Sequence, residues 1–135
     1  MTYLDPAAAA AALAATGSFG TVGTDIFKGR EIPSDVKIPV KCIFFFASGG
    51  PPPQGYINGR ASAFTQSDVQ IIVRGVVDSE KATRDIARAL IEHFVENVPT
   101  GFIHAFVFES EPNDIGMNDA KQPRFTVNLR LQATQ

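Results

Sequence analysis

The stretch Ser67–Val98, SDVQIIVRGVVDSEKATRDIARALIEHFVENV, decides the fold. Val69, Ile71, Ile72 and Val73 put β-branched side chains into a segment that suits a strand inside a sheet. Gly75 and Asp78 mark its exit, and Asp78 or Ser79 stands where a helix N-cap belongs. With about 100° of turn per residue, Thr83, Ile86, Ala87, Leu90, Ile91, Phe94 and Val98 share one arc of roughly 140°. Lys81, Arg84, Asp85, Arg88, Glu92 and Glu96 fall on the other side, and Pro99 and Gly101 end the helix. The spacing predicts a buried strand that crosses a turn into one long amphipathic helix, with the remaining strands gathered around it.

Those strands are read from alternation. In Val36–Ala47, Val36, Ile38, Val40, Cys42, Phe44 and Phe46 face one way. Lys37, Pro39, Lys41, Ile43, Phe45 and Ala47 face the other, which changes midway from lysine to phenylalanine. Pro39 places the first half at a sheet edge or bulge. Phe102–Glu109 sets Phe102, His104, Phe106 and Phe108 against Ile103, Ala105, Val107 and Glu109, apolar on both sides in its middle. Arg124–Gln132 alternates most cleanly, with Phe125, Val127, Leu129 and Leu131 inward and Arg124, Thr126, Asn128, Arg130 and Gln132 outward. One solvated face implies antiparallel pairing.

Between these strands lie segments without period. Gly17–Gly29 reads as loop with a short strand around Thr24–Phe27. Its glycines lack the preceding strand and the following Gly-Lys-Ser/Thr of a phosphate-binding loop. Gly49–Gly59, GGPPPQGYING, joins a stiff Pro51-Pro52-Pro53 run to flexible glycines, and reads either as a surface hairpin loop or as an arm reaching a neighbouring subunit. Ser110–Pro123 is polar and turn-forming.

Near the N-terminus, Asp5-Pro6 reads as N-cap and first helical position, and the alanine run Ala7–Ala12 continues a short helix ending near Gly17. Its weak hydrophobicity predicts docking against a neighbour rather than deep burial. No Lys or Arg precedes Lys28, so the positive region of a signal peptide is missing. The run is also far shorter than the ~20 apolar residues of a membrane span.

The expected architecture is a single α+β domain over residues 1–135, with a short helix in 1–16 and a projecting loop at 49–59. Its sheet is antiparallel or mixed, of four to five strands, with one long helix packed across a face. A chain of this length buries roughly 70% of its unfolded surface. Hydrophobic residues make up 44% and charged residues 19%, with net charge −2, which argues against a general positive field for gripping nucleic acid. The single Cys42 sits among alternating apolar residues and reads as packing.

Chemistry is hard to assemble from the side chains. His93 borders the apolar arc of the helix and His104 alternates with phenylalanines, so each reads as a packed residue with one satisfied nitrogen. Neither has a partner at zinc spacing, and no nucleophile motif occurs. Glu109, Glu111, Asp114 and Asp119 lack the spacing of a calcium loop and read as solvated acidic groups or interface contacts. Neither a cofactor nor a metal site is expected, and no enzyme. On the helix, Lys81/Asp85 and Arg88/Glu92 are pairs in the less favourable order, base before acid. Glu92 and Glu96 sit where the helix dipole disfavours negative charge, so they either form a merely soluble face or meet basic groups on another subunit.

Two segments together resemble a known family. Val69-Gln70-Ile71-Ile72-Val73-Arg74-Gly75, followed by the spaced alanines of Lys81–Leu90, is similar to the strand–helix centre of phage tail terminator (tail-completion, minor capsid) proteins. Pro112-Asn113-Asp114-Ile115-Gly116-Met117-Asn118-Asp119, then Pro123-Arg124-Phe125-Thr126-Val127-Asn128-Leu129, is similar to that family's closing loop and strand. In many members the loop carries a more acidic run with a Gly-Arg pair, from which Ala120-Lys121-Gln122 departs. The likeness covers Ser67 to the end of the chain.

The resemblance implies a structural virion protein, assembled in the host cytoplasm and placed at the head-proximal end of the tail. It implies a ring, six-fold in the family, that caps the tail tube, ends its polymerisation and meets the head connector. Its partners are further copies of itself, the tail tube protein and the head-completion protein, with DNA passing the lumen and no membrane involved. A ring needs a heterologous interface whose rotation closes, and sheet edges and projecting loops would supply it. On that expectation Pro51, Pro52, Pro53, Gln54, Tyr56 and Arg60 belong to one contact arm, and Asp114, Asn118 and Asp119 to a second. Arg74, Arg124 and Arg130 make polar contacts between subunits or along the lumen, and Glu92 and Glu96 face a neighbour. The alternatives are another head–tail joining or tail-tube protein, and a monomeric binding module using the proline-rich loop.

Overall fold

The computed structural model of the chain describes residues 5–17, 19–28, 41–50, 54–55, 63–117 and 121–134. Val36 to Val40, the first part of the strand expected from the alternation, lie outside them. The first helix, α1 (Pro6–Thr16), opens as its sequence demands. The Asp5 carboxylate accepts from the backbone N–H of Ala7 at 3.1 Å and of Ala8 at 3.3 Å, while Pro6 has no N–H to satisfy. Contrary to the expectation of shallow docking, one stripe of α1 is fully enclosed: Ala10, Ala11 and Ala14 are all 0% exposed. Alanine permits this because its small side chain lets the helix backbone press close to the sheet, where a larger residue would hold it off.

Two twelve-residue strands form the centre of the sheet, β4 (Ala63–Arg74) and β7 (Pro123–Thr134), antiparallel in register from Phe64↔Thr134 to Arg74↔Arg124. Each is flanked on its other side by two shorter strands. β2 (Cys42–Gly49) and β3 (Gln54–Gly55) pair with β4; β5 (His104–Val107) and β6 (Asn113–Met117) pair with β7. β1 (Ile26–Lys28) runs parallel to β2 and makes the sheet mixed. The described residues therefore contain seven strands rather than the expected four or five. β6 was hidden inside the segment expected to be loop, because all five of its residues are exposed and carry no alternation. Its strand character comes from pairing with β7, not from its side chains.

The long helix, α2 (Glu80–Glu96), crosses the sheet with Thr83, Ala87, Leu90, Ile91 and Phe94 buried and Ile86 packed against the core. Beneath it lie Phe45, Ile71, Val127 and Leu129, each 0% exposed, and Phe94 meets Phe45 with ring centroids 6.4 Å apart. Two details of the predicted helix change. Val98 falls beyond its end and is 42% exposed. Of the two predicted caps, Ser79 takes the N-cap position, its carbonyl accepting from the Thr83 N–H at 2.9 Å, but its hydroxyl makes no cap bond and donates instead to the Val76 carbonyl at 2.6 Å; Asp78 takes a left-handed φ of 62° in the turn. Gly75 is required at the strand exit, since a Cβ there would collide with the Thr83 hydroxyl. Among the described residues no helix is long and apolar enough to cross a membrane.

Candidate functional site

Both helices join the core on one side of the sheet, where α1 packs against β1, β2 and β4 and α2 against β4, β5 and β7. The other side carries the alternate residues of the same strands, and the registers set them in rows. Cys42, Arg74 and Arg124 make the first; Phe27, Phe44, Ile72 and Thr126 the second; Phe46, Gln70 and Asn128 the third. Asp68, Arg130 and Phe106 follow, then Gln66, Gln132 and His104. A polar centre is thus bordered by aromatic rings. Phe27, Phe44 and Phe46 stack on one flank at 5.6 and 6.1 Å. On the other, the exposed His104 meets Phe106 edge-on at 4.2 Å, so it is not the packed histidine expected.

The polar centre is internally bonded. Arg130 donates to both Asp68 oxygens, at 2.7 and 3.2 Å, and its guanidinium lies 5.1 Å over the Phe108 ring. The hydrogen bond to Asp68 raises the Arg130 pKa above its ordinary value. Glu109 accepts from the Asn128 backbone N–H at 2.9 Å and from its side-chain amide at 2.7 Å. Between Ser48 on one side and Phe108 and Glu109 on the other lies a shallow groove of about 290 Å³, lined also by Asp68 and Asn128. Its carboxylates are committed to these partners, which suits holding the face in shape better than moving protons.

The acidic group expected around Glu109 is dispersed. Glu109 serves β7, Glu111 pairs with Arg88 at 2.7 Å, and Asp114 accepts from the Gly116 N–H at 2.8 Å. Arg88 therefore pairs across elements rather than with Glu92, and the helix pair that forms is Glu80–Arg84 at 3.2 Å, acid before base. His93 is packed as expected: Nε2 donates to the Leu13 carbonyl at 2.9 Å, tying α2 to α1. Cys42 is buried, and burial pushes its thiol pKa up. Among the described residues, no group of three or more His, Cys, Asp or Glu is placed to hold a metal ion.

Of the residues singled out from sequence, Pro51, Pro52, Pro53, Tyr56, Arg60, Asn118 and Asp119 lie outside the described set, and Gln54 is described only as a strand position. Arg74 and Arg124 are brought side by side at the end of β4 and β7, with Arg74 5.8 Å over the Phe44 ring. Arg124 reaches the carbonyl of Gly116 at 3.4 Å, so β6 and Asp114 belong to the same corner. Arg130 stands apart from them, beside Asp68. Glu92 and Glu96 are exposed, and among the described residues neither enters an ion pair. Asp68 and Phe108 were missed as interacting residues. Asp68 was legible as the acidic member of the Gln66, Asp68, Gln70 alternation, but its partner is 62 positions away. Comparison of the chain with models of known protein families yields no match, and comparison with curated proteins yields none.

Proposed function

We propose that the chain is a structural virion protein of a tailed phage, a tail terminator whose copies form a ring on the end of the tail tube. The observation that carries this is the sheet face opposite the helices, which bears no helix among the described residues and runs out to β5. Phe106 and Phe108 are 46% and 53% exposed there, at the edge of the strand order. An edge strand with exposed aromatic groups invites pairing with another chain, and patches of this kind mark protein contacts. The segments that resemble the family fall on β4, α2 and β7, which build the core, and on the exposed β6. A net charge of −2 suits a lumen through which DNA slides, since each neutralised phosphate would hold it.

On this proposal the chain has no catalytic role and needs no cofactor. It meets further copies of itself, the tube protein below and the head connector above, with six copies expected from the family. The test is its position in the particle. Purified virions labelled with gold-conjugated antibody against the chain should show label at the junction of head and tail. Label along the tube or inside the head would favour a different joining or tube protein, and its absence from particles would end the proposal.

A further inference from the structure

We infer that two copies of this chain join through β5, edge to edge and antiparallel, about a two-fold axis that sets Phe106 against Phe106 of the second copy. The inference goes beyond the ring proposal and does not depend on it. A two-fold contact closes on itself, whereas a ring needs a contact between unlike surfaces, so either can fail without the other.

The backbone sets which groups the edge offers. The Phe108 N–H donates to the Asn128 carbonyl at 3.0 Å, and the Asn128 N–H points to the same side of β7, donating to the Glu109 carboxylate at 2.9 Å. In the β5–β7 register Phe106 stands opposite Arg130 and His104 opposite Gln132, two and four residues back from that pair. Hydrogen-bonded pairs recur at every second residue of an antiparallel ladder, so His104 and Phe106 turn their N–H and C=O groups to β7. Ala105 and Val107 turn theirs outward, and among the described residues β5 pairs with no strand but β7.

Two outward residues with one between them make a self-complementary edge. Placing Ala105 opposite Val107 of a second copy, and Val107 opposite its Ala105, gives each of the four N–H groups a carbonyl. Phe106 then lies on the axis at the close, non-hydrogen-bonded spacing, with Cα atoms about 4.5 Å apart. On the open face Phe106 and Phe108 are 46% and 53% exposed, and His104 is exposed beside them. The register sets Phe106 against Phe106 and His104 against Phe108 across the axis, and aromatic pairs facing each other across strands stabilise sheets. Two half-exposed phenylalanines per copy supply roughly 200 Å² of apolar area. That falls short of the ~800 Å² per partner of a standard interface, so the pair belongs to the weak class and grows with concentration.

Charge selects the occupant. Sheet edges that avoid pairing carry Lys, inward-pointing charges or proline. From Val98 to Phe108 the sequence VPTGFIHAFVF has its one proline ahead of the strand and no Lys, Arg, Asp or Glu. The edge therefore offers neither sign for a charged partner strand to answer, and the two-fold register sets no formal charge against another. An uncharged edge with the matching hydrogen-bond pattern is what a second copy brings.

The full-length chain carrying Cys42→Ala, which leaves no other thiol, tests the register by disulfide trapping with oxidised glutathione. A Cα spacing of about 4.5 Å is within disulfide reach. Phe106→Cys should form a linked dimer at least tenfold faster than His104→Cys or Phe108→Cys alone. Mixing those last two, one of them tagged, should bring back the fast rate, because each faces the other across the axis. In the otherwise unchanged chain, Ala105→Pro removes an outward N–H and spares the bonds to β7, so it should weaken pairing at least tenfold in sedimentation velocity. Thermal melts confirm that the variants are folded. Equal trapping at the three positions, or unchanged pairing by folded Ala105→Pro, overturns the inference. A six-copy ring without fast trapping at Phe106→Cys overturns the pair and leaves the ring; fast trapping in a chain that forms no ring, alone or on tube ends, does the reverse.

Discussion

The sheet face beneath the helices and the face opposite are built from the same strands, residue by alternate residue, yet they are settled in different ways. On the covered face Phe45, Ile71, Val127 and Leu129 have no exposure, and the packing of Phe94 and the alanines of α1 fills the space above them. On the open face the interactions are lateral: Asp68 with Arg130, Glu109 with Asn128, Gln66 with Gln132 at 3.3 Å. The covered face gives the molecule its stability through apolar area removed from water. The open face spends its residues on a fixed, partly wet surface, with the exposed Phe106 and Phe108 at its border. Alternate residues of the same strands thus build a packed core on one side and a laterally bonded surface on the other.

That division can be broken by substitution. The largest effect is expected at Phe45→Ala, which leaves a cavity against Phe94 and should cost about 3–5 kcal/mol in chemical denaturation. A loss under about 1 kcal/mol would show that the two faces do not differ as described. Next comes overpacking: Ala11→Leu, at 0% exposure on α1, should cost about 1–3 kcal/mol, whereas Ala12→Leu on the exposed side of the same helix should stay within about 0.5 kcal/mol of wild type. Asp5→Ala should remove the cap and cost about 1 kcal/mol, read as a lower thermal midpoint. The smallest effect on stability belongs to the open face. Phe106→Ser should change it by no more than about 0.5 kcal/mol yet reduce association of copies. Finally, Cys42 has a raised thiol pKa, so its thiolate fraction near neutral pH is lower than that of an ordinary cysteine. It should react slowly with a disulfide reagent in the native chain and quickly once denatured; fast native labelling would contradict its burial.

Much of this division was legible in the residues. The period of α2, the alternation of β7 and the Asp5-Pro6 start of α1 each follow from a local rule, and each is realised. The missed parts depend on contacts remote in sequence. β6 is a strand because β7 offers it a partner, Arg88 leaves Glu92 for Glu111, and Asp68 meets a residue 62 positions on. Ser79 stands at the N-cap, but its hydroxyl is taken by Val76 and Thr83 rather than by the first N–H groups of α2. For the candidate contacts, sequence singled out Glu92 and Glu96 as charges the helix dipole disfavours, and Arg74, Arg124 and Arg130 as outward-facing strand residues. Only the register shows that Arg74 and Arg124 stand opposite each other.

The most direct test of the central claim, that the chain is built to stand beside copies of itself, is native mass spectrometry of the purified full-length protein over a range of concentrations, with and without tail tubes. A closed oligomer of one size, six copies on the family's pattern, is the predicted result. A monomer at every concentration that also fails to collect on tube ends would contradict it.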